Sequence, residues 1–199
     1  MTYLADVWRP SSTGSTRLGS SRAVALAYDL GVVLLGSLFI ALSAQVALPL
    51  PFSPVPVTGQ TFAVLAVGAA LGRARGTASV LAYLGEGAAG LPVFAGGAAG
   101  IAPLLGPTGG YLLGFLPGAW LCGALAERGW DRRVGGTIAA MLLGNAAIFA
   151  VGLPWLSGFV GASNALALGF WPFLPGDVVK IGLAAAALPL VWKWVGGKA

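Results

Sequence analysis

Charged residues are scarce in this sequence: they make up 9% of the 199 residues, against roughly 25% in soluble domains. Histidine is absent and cysteine occurs once, as Cys122. An intramolecular disulfide is therefore excluded, and so are zinc or haem sites built on histidine or on paired cysteines. Apolar residues make up 57% of the chain, whereas a disordered protein needs low hydrophobicity and high net charge. The composition excludes both an ordinary soluble domain and a disordered chain.

Long uncharged stretches take the place of the missing charges. Residues 30–72, 87–126 and 134–176 contain no charged residue at all. Each stretch is about 40 residues long, and one helical crossing of a bilayer needs about 20 apolar residues. Each stretch therefore has room for two crossings, or for one crossing and a loop. We predict an all-α, multi-pass membrane protein with six transmembrane helices and no soluble domain.

Proline and glycine mark the predicted boundaries, because neither is easily accommodated in a helix that must satisfy every backbone group in lipid. Residues 1–27 are predicted to form a basic cytoplasmic tail, and residues 28–199 a single six-helix transmembrane domain. The six helices are expected at residues 28–48, 58–71, 76–91, 109–125, 134–153 and 177–195. The first is interpreted as an uncleaved span, with a signal-peptide cleavage site at residues 41–43 as the alternative.

The basic residues predict the orientation. With six spans, ten of the eleven lie on one side of the membrane, and Lys180 is the exception. By the positive-inside rule, both termini are cytoplasmic and the loops 49–57, 92–108 and 154–176 face out. These loops carry no charge but hold ten of the thirteen prolines, so we expect them to fold back over a ligand site. No basic patch is left to bind nucleic acid, despite the net charge of +5.

Asp177 and Lys180 are the first candidate functional residues. They are three apart at the start of the sixth predicted helix and therefore share a face. A charge at the bilayer centre costs about 2.5–3.5 kcal/mol, and less near the interface, so both need a reason to be there. One interpretation is purely structural: Asp177 caps the helix and Lys180 pairs with it or reaches the interface. The other is an outward-facing ligand site.

Glycine-rich segments and one isolated acid give further candidates. Glycine lets a backbone approach a ligand closely, but the same segments are compatible with flexible linkers. They lack the lysine of a phosphate-binding loop, which excludes a nucleotide site of that kind. Glu86 is either a functional intramembrane acid or a capping or pairing group within the bundle. The candidates in the glycine-rich segments are Phe94, Gly96, Gly97, Thr108, Gly109, Gly110 and Tyr111.

Small residues recur at four-residue spacing in two places, at Gly68, Gly72 and Gly76 and again between residues 106 and 118. Such stripes allow close approach of helices in lipid, and packing within the chain is the simpler interpretation. A weaker stripe on the first predicted helix could instead contact a partner membrane protein. Its members are Gly36, Ser37 and Ala41.

Four stretches of the chain resemble the BioY family, the biotin-specific S components of energy-coupling-factor (ECF) vitamin transporters. The stretches are residues 51–62 (PFSPVPVTGQTF), 90–97 (GLPVFAGG), 105–112 (LGPTGGYL) and 174–180 (LPGDVVK), in the order that the family has them. Gly59 departs from the pattern, which has a larger apolar residue there, and the departure concerns packing more than binding. The basic tail lies outside the resemblance.

The resemblance implies a six-helix S component that binds biotin at the outer face and releases it inward by toppling or rotating in the membrane. It implies as partners a membrane coupling protein and a pair of cytoplasmic ATPases, in the cell membrane of a prokaryote, with biotin as cargo and no cofactor. Asp177 would accept hydrogen bonds from the ureido N–H groups, and Lys180 would meet the ureido carbonyl or the carboxylate. Further contacts are expected from Asn145 and from aromatic walls at Phe94, Tyr111, Trp155 or Trp171.

Two other classes of protein remain open at the level of sequence. An intramembrane enzyme would use Asp177, Lys180 and Glu86 as acid and base groups, but the chain lacks a nucleophile with a nearby base. A channel, facilitator or self-sufficient secondary transporter would carry a vitamin without ATPase partners. Secondary transporters often contain two related halves, and no internal repeat is evident here.

Overall fold

The structure is a computed structural model that describes Leu4 and residues 18–196, and it is built mainly from helices. The predicted tail lies outside the described residues up to residue 17, except for Leu4. The first helix begins at Leu18, ten residues before the predicted start at residue 28. The last ten residues of the predicted tail are therefore helical. The elements are α1 (Leu18–Gln45), β1 (Ala47–Leu50), β2 (Ser53–Thr58), α2 (Gln60–Ala88), α3 (Ala102–Leu105), α4 (Gly109–Ala126), α5 (Val134–Val160), α6 (Ala162–Gly169) and α7 (Leu174–Gly196).

Helix α2 is a helical hairpin, broken at Gly72. Gly72 has φ +79° and ψ 171°, a backbone conformation that is essentially confined to glycine. Eight residues of a straight helix would separate Gly68 from Gly76 by about 12 Å. A Cβ built on Gly76 would instead lie only 2.7 Å from the Cα of Gly68, so the chain doubles back between them. The break divides α2 into a first arm (residues 60–71) and a second arm (residues 73–88), near the boundaries predicted for the second and third spans.

The proline-rich segment 49–57, predicted as a loop, belongs to an antiparallel β-hairpin. Ala47 pairs with Thr58 and Leu48 with Val57, and the register shifts between Leu48 and Leu50. The Oγ of Ser53 donates a 2.7 Å hydrogen bond to the carbonyl of Leu168, which ties the hairpin to α6. Proline removes a ladder donor, so a short two-stranded edge is where such a sequence can still form strands.

The last three predicted spans match observed helices to different degrees. Helix α4 begins at Gly109 as predicted and ends one residue later. The prediction that the next helix ends before Pro154 is wrong: α5 continues through this proline to Val160. A proline within a helix removes one backbone hydrogen bond but need not end the helix in an apolar bundle, where neighbouring groups compensate. Helix α7 begins three residues before Asp177, so the acid lies in its first turn.

Most of the buried side chains form a single core between α2, α4 and α5. Glycines allow the close approach: a Cβ on Gly68 would lie 2.5 Å from the carbonyl oxygen of Ala119, and one on Gly114 would lie 2.8 Å from that of Ile148. These contacts support the intramolecular interpretation of the small-residue stripes. Among the described residues, four helices are long and apolar enough to cross a membrane: Arg22–Gln45, Gly109–Ala126, Val134–Val160 and Ala162–Trp194.

Candidate functional site

A cavity of about 290 Å³ lies at the end of the bundle that carries the β-hairpin. Its walls come from β2, the first turn of α2, the segment around Phe94, and the helices α4, α5 and α7. Most of the wall is apolar, and a few polar groups converge on it, the usual character of a small-molecule site. Its polar side chains are Thr58, Gln60, Thr61, Thr108, Tyr111, Asp177 and Lys180.

The ion pair predicted from the sequence forms one wall of this cavity. Lys180 Nζ lies 3.2 Å from Asp177 Oδ1, and both side chains are almost entirely removed from the surface. The same amine donates a 2.8 Å hydrogen bond to the Oγ1 of Thr61, on the first arm of α2. An ammonium group has three N–H donors, and these two partners account for two of them. The pair is therefore held in place and still offers charged donor and acceptor groups to a ligand.

A second polar network fixes Gln60 at the cavity wall. Its amide Nε2 donates to the hydroxyl of Tyr83, and its Oε1 accepts a 3.0 Å hydrogen bond from Thr58 Oγ1. Gln60 is buried, so an unsatisfied amide there would be costly. The two partners set which end of the amide is donor and which is acceptor.

Aromatic rings form a further part of the cavity wall. Phe94 is buried and meets Tyr83 edge to face, with 5.5 Å between ring centroids. Tyr111 stacks on Phe173 at 6.1 Å, and its hydroxyl donates a 2.8 Å hydrogen bond to the carbonyl of Gly169. Phe149 meets both of these rings edge to face. The rings form a rigid wall suited to an apolar ring system.

Five of the candidates from the sequence line this cavity: Phe94, Thr108, Tyr111, Asp177 and Lys180. Gly96 and Gly97 lie beside it, in a turn with φ +67° and +75° that places Ala95 and Ala98 at the wall. A side chain at either glycine would strain this backbone. Their observed contribution is thus to shape the segment that follows Phe94.

Gly109, Gly110 and Trp155 lie outside the lining and belong to a packing contact next to it. A Cβ on Gly109 would lie 2.0 Å from the carbonyl oxygen of Leu104, and one on Gly110 would lie 2.2 Å from the Cβ of Trp155. The indole Nε1 of Trp155 donates a 2.9 Å hydrogen bond to the carbonyl of Gly106. These residues pack the start of α4 against α5, which positions Thr108 and Tyr111.

Three further candidates also lie outside the lining. Glu86 accepts a 2.6 Å hydrogen bond from the Oγ of Ser37, which links the second arm of α2 to α1. Asn145 is buried on α5, one turn before Ile148 and Phe149 of the cavity wall, and its Oδ1 has no hydrogen-bond partner among the described residues. Trp171 is 61% exposed.

The cavity lining also includes residues that are not candidates from the sequence, among them Gln60, Thr61, Phe149 and Phe173. Gln60 and Thr61 carried a usable signal, since they are polar residues at the start of an otherwise apolar helix. Phe149 and Phe173 carried none, because a phenylalanine in an apolar run is indistinguishable from any core residue. Among the described residues, no three histidine, cysteine, aspartate or glutamate side chains group as a metal site would require.

Comparisons with known proteins place this architecture in one family. The BioY family matches residues 15–197. The chain belongs to the BioY family. Among its relatives is the biotin transporter BioY of Rhizobium etli, 37% identical over 160 residues that cover 76% of this chain and 86% of the relative. The BioY of Thermotoga maritima is 40% identical over 137 residues, covering 68% of this chain and 80% of the relative.

A solved structure agrees with the BioY assignment. It is the crystal structure at 2.1 Å of the S-component for biotin from an ECF-type ABC transporter. It aligns with 90% of this chain and 95% of that chain, with a TM-score of 0.75 and 27% sequence identity. The agreement therefore extends over nearly the whole fold.

Proposed function

We propose that this chain binds biotin in the cavity and takes it up across the membrane as the S component of an ECF-type transporter. The observation that carries the proposal is the buried Asp177–Lys180 pair, held by Thr61 in an aromatic cavity of a BioY-family fold. The relatives in Rhizobium etli and Thermotoga maritima are biotin transporters, and the similar solved structure is an S-component for biotin.

The chemistry of biotin matches the lining of the cavity. The ureido ring has two N–H donors and a carbonyl acceptor, and the thioether ring is apolar. The carboxylate of Asp177 is an acceptor for the ureido N–H groups, and the remaining N–H of Lys180 is a donor for the ureido carbonyl or the biotin carboxylate. Phe94, Tyr111 and Phe149 would cover the apolar rings.

Six membrane crossings with both termini in the cytoplasm follow from the same proposal. The crossings are α1, the two arms of α2, α4, α5 and α7. The arginines that the structure describes support this orientation, because they lie at the end of the bundle away from the cavity. There Arg75 pairs with Asp29 at 2.7 Å, Arg73 pairs with Glu127 at 3.4 Å, and Asp131 accepts a hydrogen bond from Trp192. The cavity would then face outward.

The proposal implies that transport is driven by a membrane coupling protein and paired ATPase subunits in a prokaryotic plasma membrane. No nucleotide-binding loop is present in the sequence, so this chain itself does not supply ATP hydrolysis. The cargo leaves chemically unchanged, which separates the proposed carrier from an enzyme.

Biotin binding to purified variants tests the site. Asp177→Asn and Lys180→Met each remove one charge of the pair and leave the other buried without its partner, so we expect biotin affinity to fall by at least about tenfold. Lys193→Met is the matched control, since Lys193 is exposed on the same helix, away from the cavity. Unchanged affinity in both site variants would remove the assignment.

Uptake assays test the mode of transport. Cells that make this chain without an ECF module should bind biotin but accumulate little of it, and co-production of a coupling protein and its ATPases should restore accumulation. Concentrative uptake by the chain alone would favour a self-sufficient transporter instead. Recovery of a chemically altered cargo would favour an enzyme.

A further inference from the structure

A groove lies at the opposite end of the bundle from the cavity, where the segment between α4 and α5 meets the first turns of α5. It encloses about 660 Å³. Its lining contains three arginines and no acidic residue. The full lining is Arg128, Gly129, Trp130, Arg132, Arg133, Gly136 and Ala139.

Two of these arginines carry a positive charge that no described acidic side chain neutralises in an ion pair. Arg128 and Arg133 are exposed, and neither forms an ion pair with any residue that the structure describes. The nearby acids are already engaged: Glu127 pairs with Arg73, and buried Asp131 accepts a hydrogen bond from Trp192. The guanidinium of Arg132 lies 4.5 Å from the centre of the Trp192 ring, which holds this third arginine in place. The groove therefore carries a surplus of positive charge.

The backbone adds donors to the same groove. The first N–H groups of α5 have no partner within the helix, and the side chain of the N-cap residue, Arg133, forms no capping hydrogen bond to them. Gly136 faces the groove, and a Cβ there would lie 2.3 Å from the carbonyl oxygen of Trp130. Arginine forks and free N–H groups together recognise phosphate oxygens well.

An apolar track leads out of the groove along α5. Val134, Ile138 and Leu142 are exposed at successive turns of this helix, and Trp130 stands partly exposed at the rim. Tryptophan is enriched at the level of lipid headgroups, and exposed aliphatic side chains on a spanning helix face lipid chains. A free phosphate ion would make no use of this track, whereas a phospholipid would occupy groove and track at once.

We propose that this groove is a binding site for the phosphate headgroup of an anionic phospholipid, with its acyl chains along α5. Arg128 and Arg133 contact the phosphate oxygens, and Arg132 forms the inner wall. Basic residues that merely set topology need only lie on one side of the membrane, but these three arginines line one groove together. Bound lipid would join the α4–α5 segment to the end of α7 through Arg132 and Trp192.

Native mass spectrometry of the purified full-length chain tests the proposal. The protein is titrated with short-chain phosphatidylglycerol, with phosphatidylcholine of equal chain length, and with inorganic phosphate. We expect phosphatidylglycerol to bind at least about tenfold more tightly than phosphatidylcholine, because each arginine near the headgroup favours the anionic lipid. Millimolar inorganic phosphate should not displace it.

The double variant Arg128→Gln/Arg133→Gln should lose this preference and keep its thermal unfolding midpoint. The matched control, Arg22→Gln/Lys193→Gln, removes two exposed positive charges outside the groove and should keep the preference. An equal loss in both double variants would overturn the proposal, since it would reflect net charge alone. Displacement of the lipid by inorganic phosphate would also overturn it, in favour of a free-anion site.

Discussion

Thr61 and Lys180 are 119 residues apart in sequence, yet the threonine Oγ1 accepts a 2.8 Å hydrogen bond from the lysine Nζ. The contact joins the first arm of α2 to α7 at the cavity wall. A lysine side chain has four rotatable bonds, so the pairing with Asp177 alone would leave its position loosely defined. Thr61 supplies the second fixed point and makes Lys180 a directed donor.

The first prediction concerns this hydroxyl. Thr61→Val keeps the shape of the side chain but removes the acceptor, so biotin affinity should fall about tenfold, as expected for a lost hydrogen bond to a charged group. Isothermal titration calorimetry of purified protein measures the effect. Thr61→Ser is the matched control, because it keeps the hydroxyl, and it should bind as the wild type does. Equal affinity in the valine variant would show that Lys180 is positioned without Thr61.

The second prediction concerns the close packing of Gly87 on Phe94. A Cβ at Gly87 would lie 2.2 Å from the Cζ of the buried Phe94 ring. Gly87→Ala should therefore push this ring into the cavity, lowering biotin affinity and destabilising the fold by about 1–3 kcal/mol. Gly85→Ala is the control on the same helix, since a Cβ there has no neighbour within 4 Å. Thermal unfolding and biotin titration should separate the two variants, and similar behaviour would contradict the packing argument.

The sequence predicts helix boundaries best where glycine or proline precedes a helix and charged residues follow it. Gly109 begins α4 as expected, because glycine and proline precede it and charged residues follow its end. Pro154 leads to a wrong prediction of the end of α5, because a proline inside an apolar bundle removes one hydrogen bond without ending the helix. The hairpin over residues 47–58 is not predicted, because its prolines suggest a loop and its contact with α6, from Ser53 to Leu168, depends on residues far apart in sequence.

The cavity lining is predictable from the sequence in its charges, and in its aromatic wall only at Phe94 and Tyr111. Asp177 and Lys180 stand out because ions are costly in an apolar helix, so sequence alone marks them. Phe149 and Phe173 line the same cavity but look like ordinary core residues. Whether a glycine binds ligand or makes room for a neighbour also depends on contacts far apart in sequence, as Gly110 against Trp155 illustrates.

The third prediction concerns the break in α2. Gly72 has φ +79° and is buried, so a side chain there adopts a strained backbone conformation. Gly72→Ala should destabilise the protein by at least about 1–3 kcal/mol and lower its thermal unfolding midpoint. Gly31→Ala on α1 is the control, because a Cβ there meets nothing within 4 Å and alanine favours helix. A midpoint in Gly72→Ala at or above that of the wild type would refute the role of this glycine in turning the chain.

The last prediction concerns pH and Asp131, which lies between α4 and α5. Burial raises the pKa of this carboxyl above its usual value near 3.8, and the hydrogen bond from Trp192 and the charge of Arg132 only partly oppose the shift. The folded state therefore binds the proton more tightly than the unfolded chain does. Between the two pKa values the folded state carries more protons, so this carboxyl's contribution to stability is lost as pH rises through the folded pKa.

Asp131→Asn removes this titration and keeps an oxygen that can accept the Trp192 hydrogen bond. The unfolding midpoint of the variant minus that of the wild type should therefore increase between pH 4 and pH 8. Other carboxyl groups titrate equally in both proteins, so the difference isolates Asp131. Thermal melts of both proteins in the same detergent give this difference at each pH. Because a protonated acid and an amide are both neutral, the two midpoints should approach each other at the acid end, and a difference independent of pH would contradict the raised pKa.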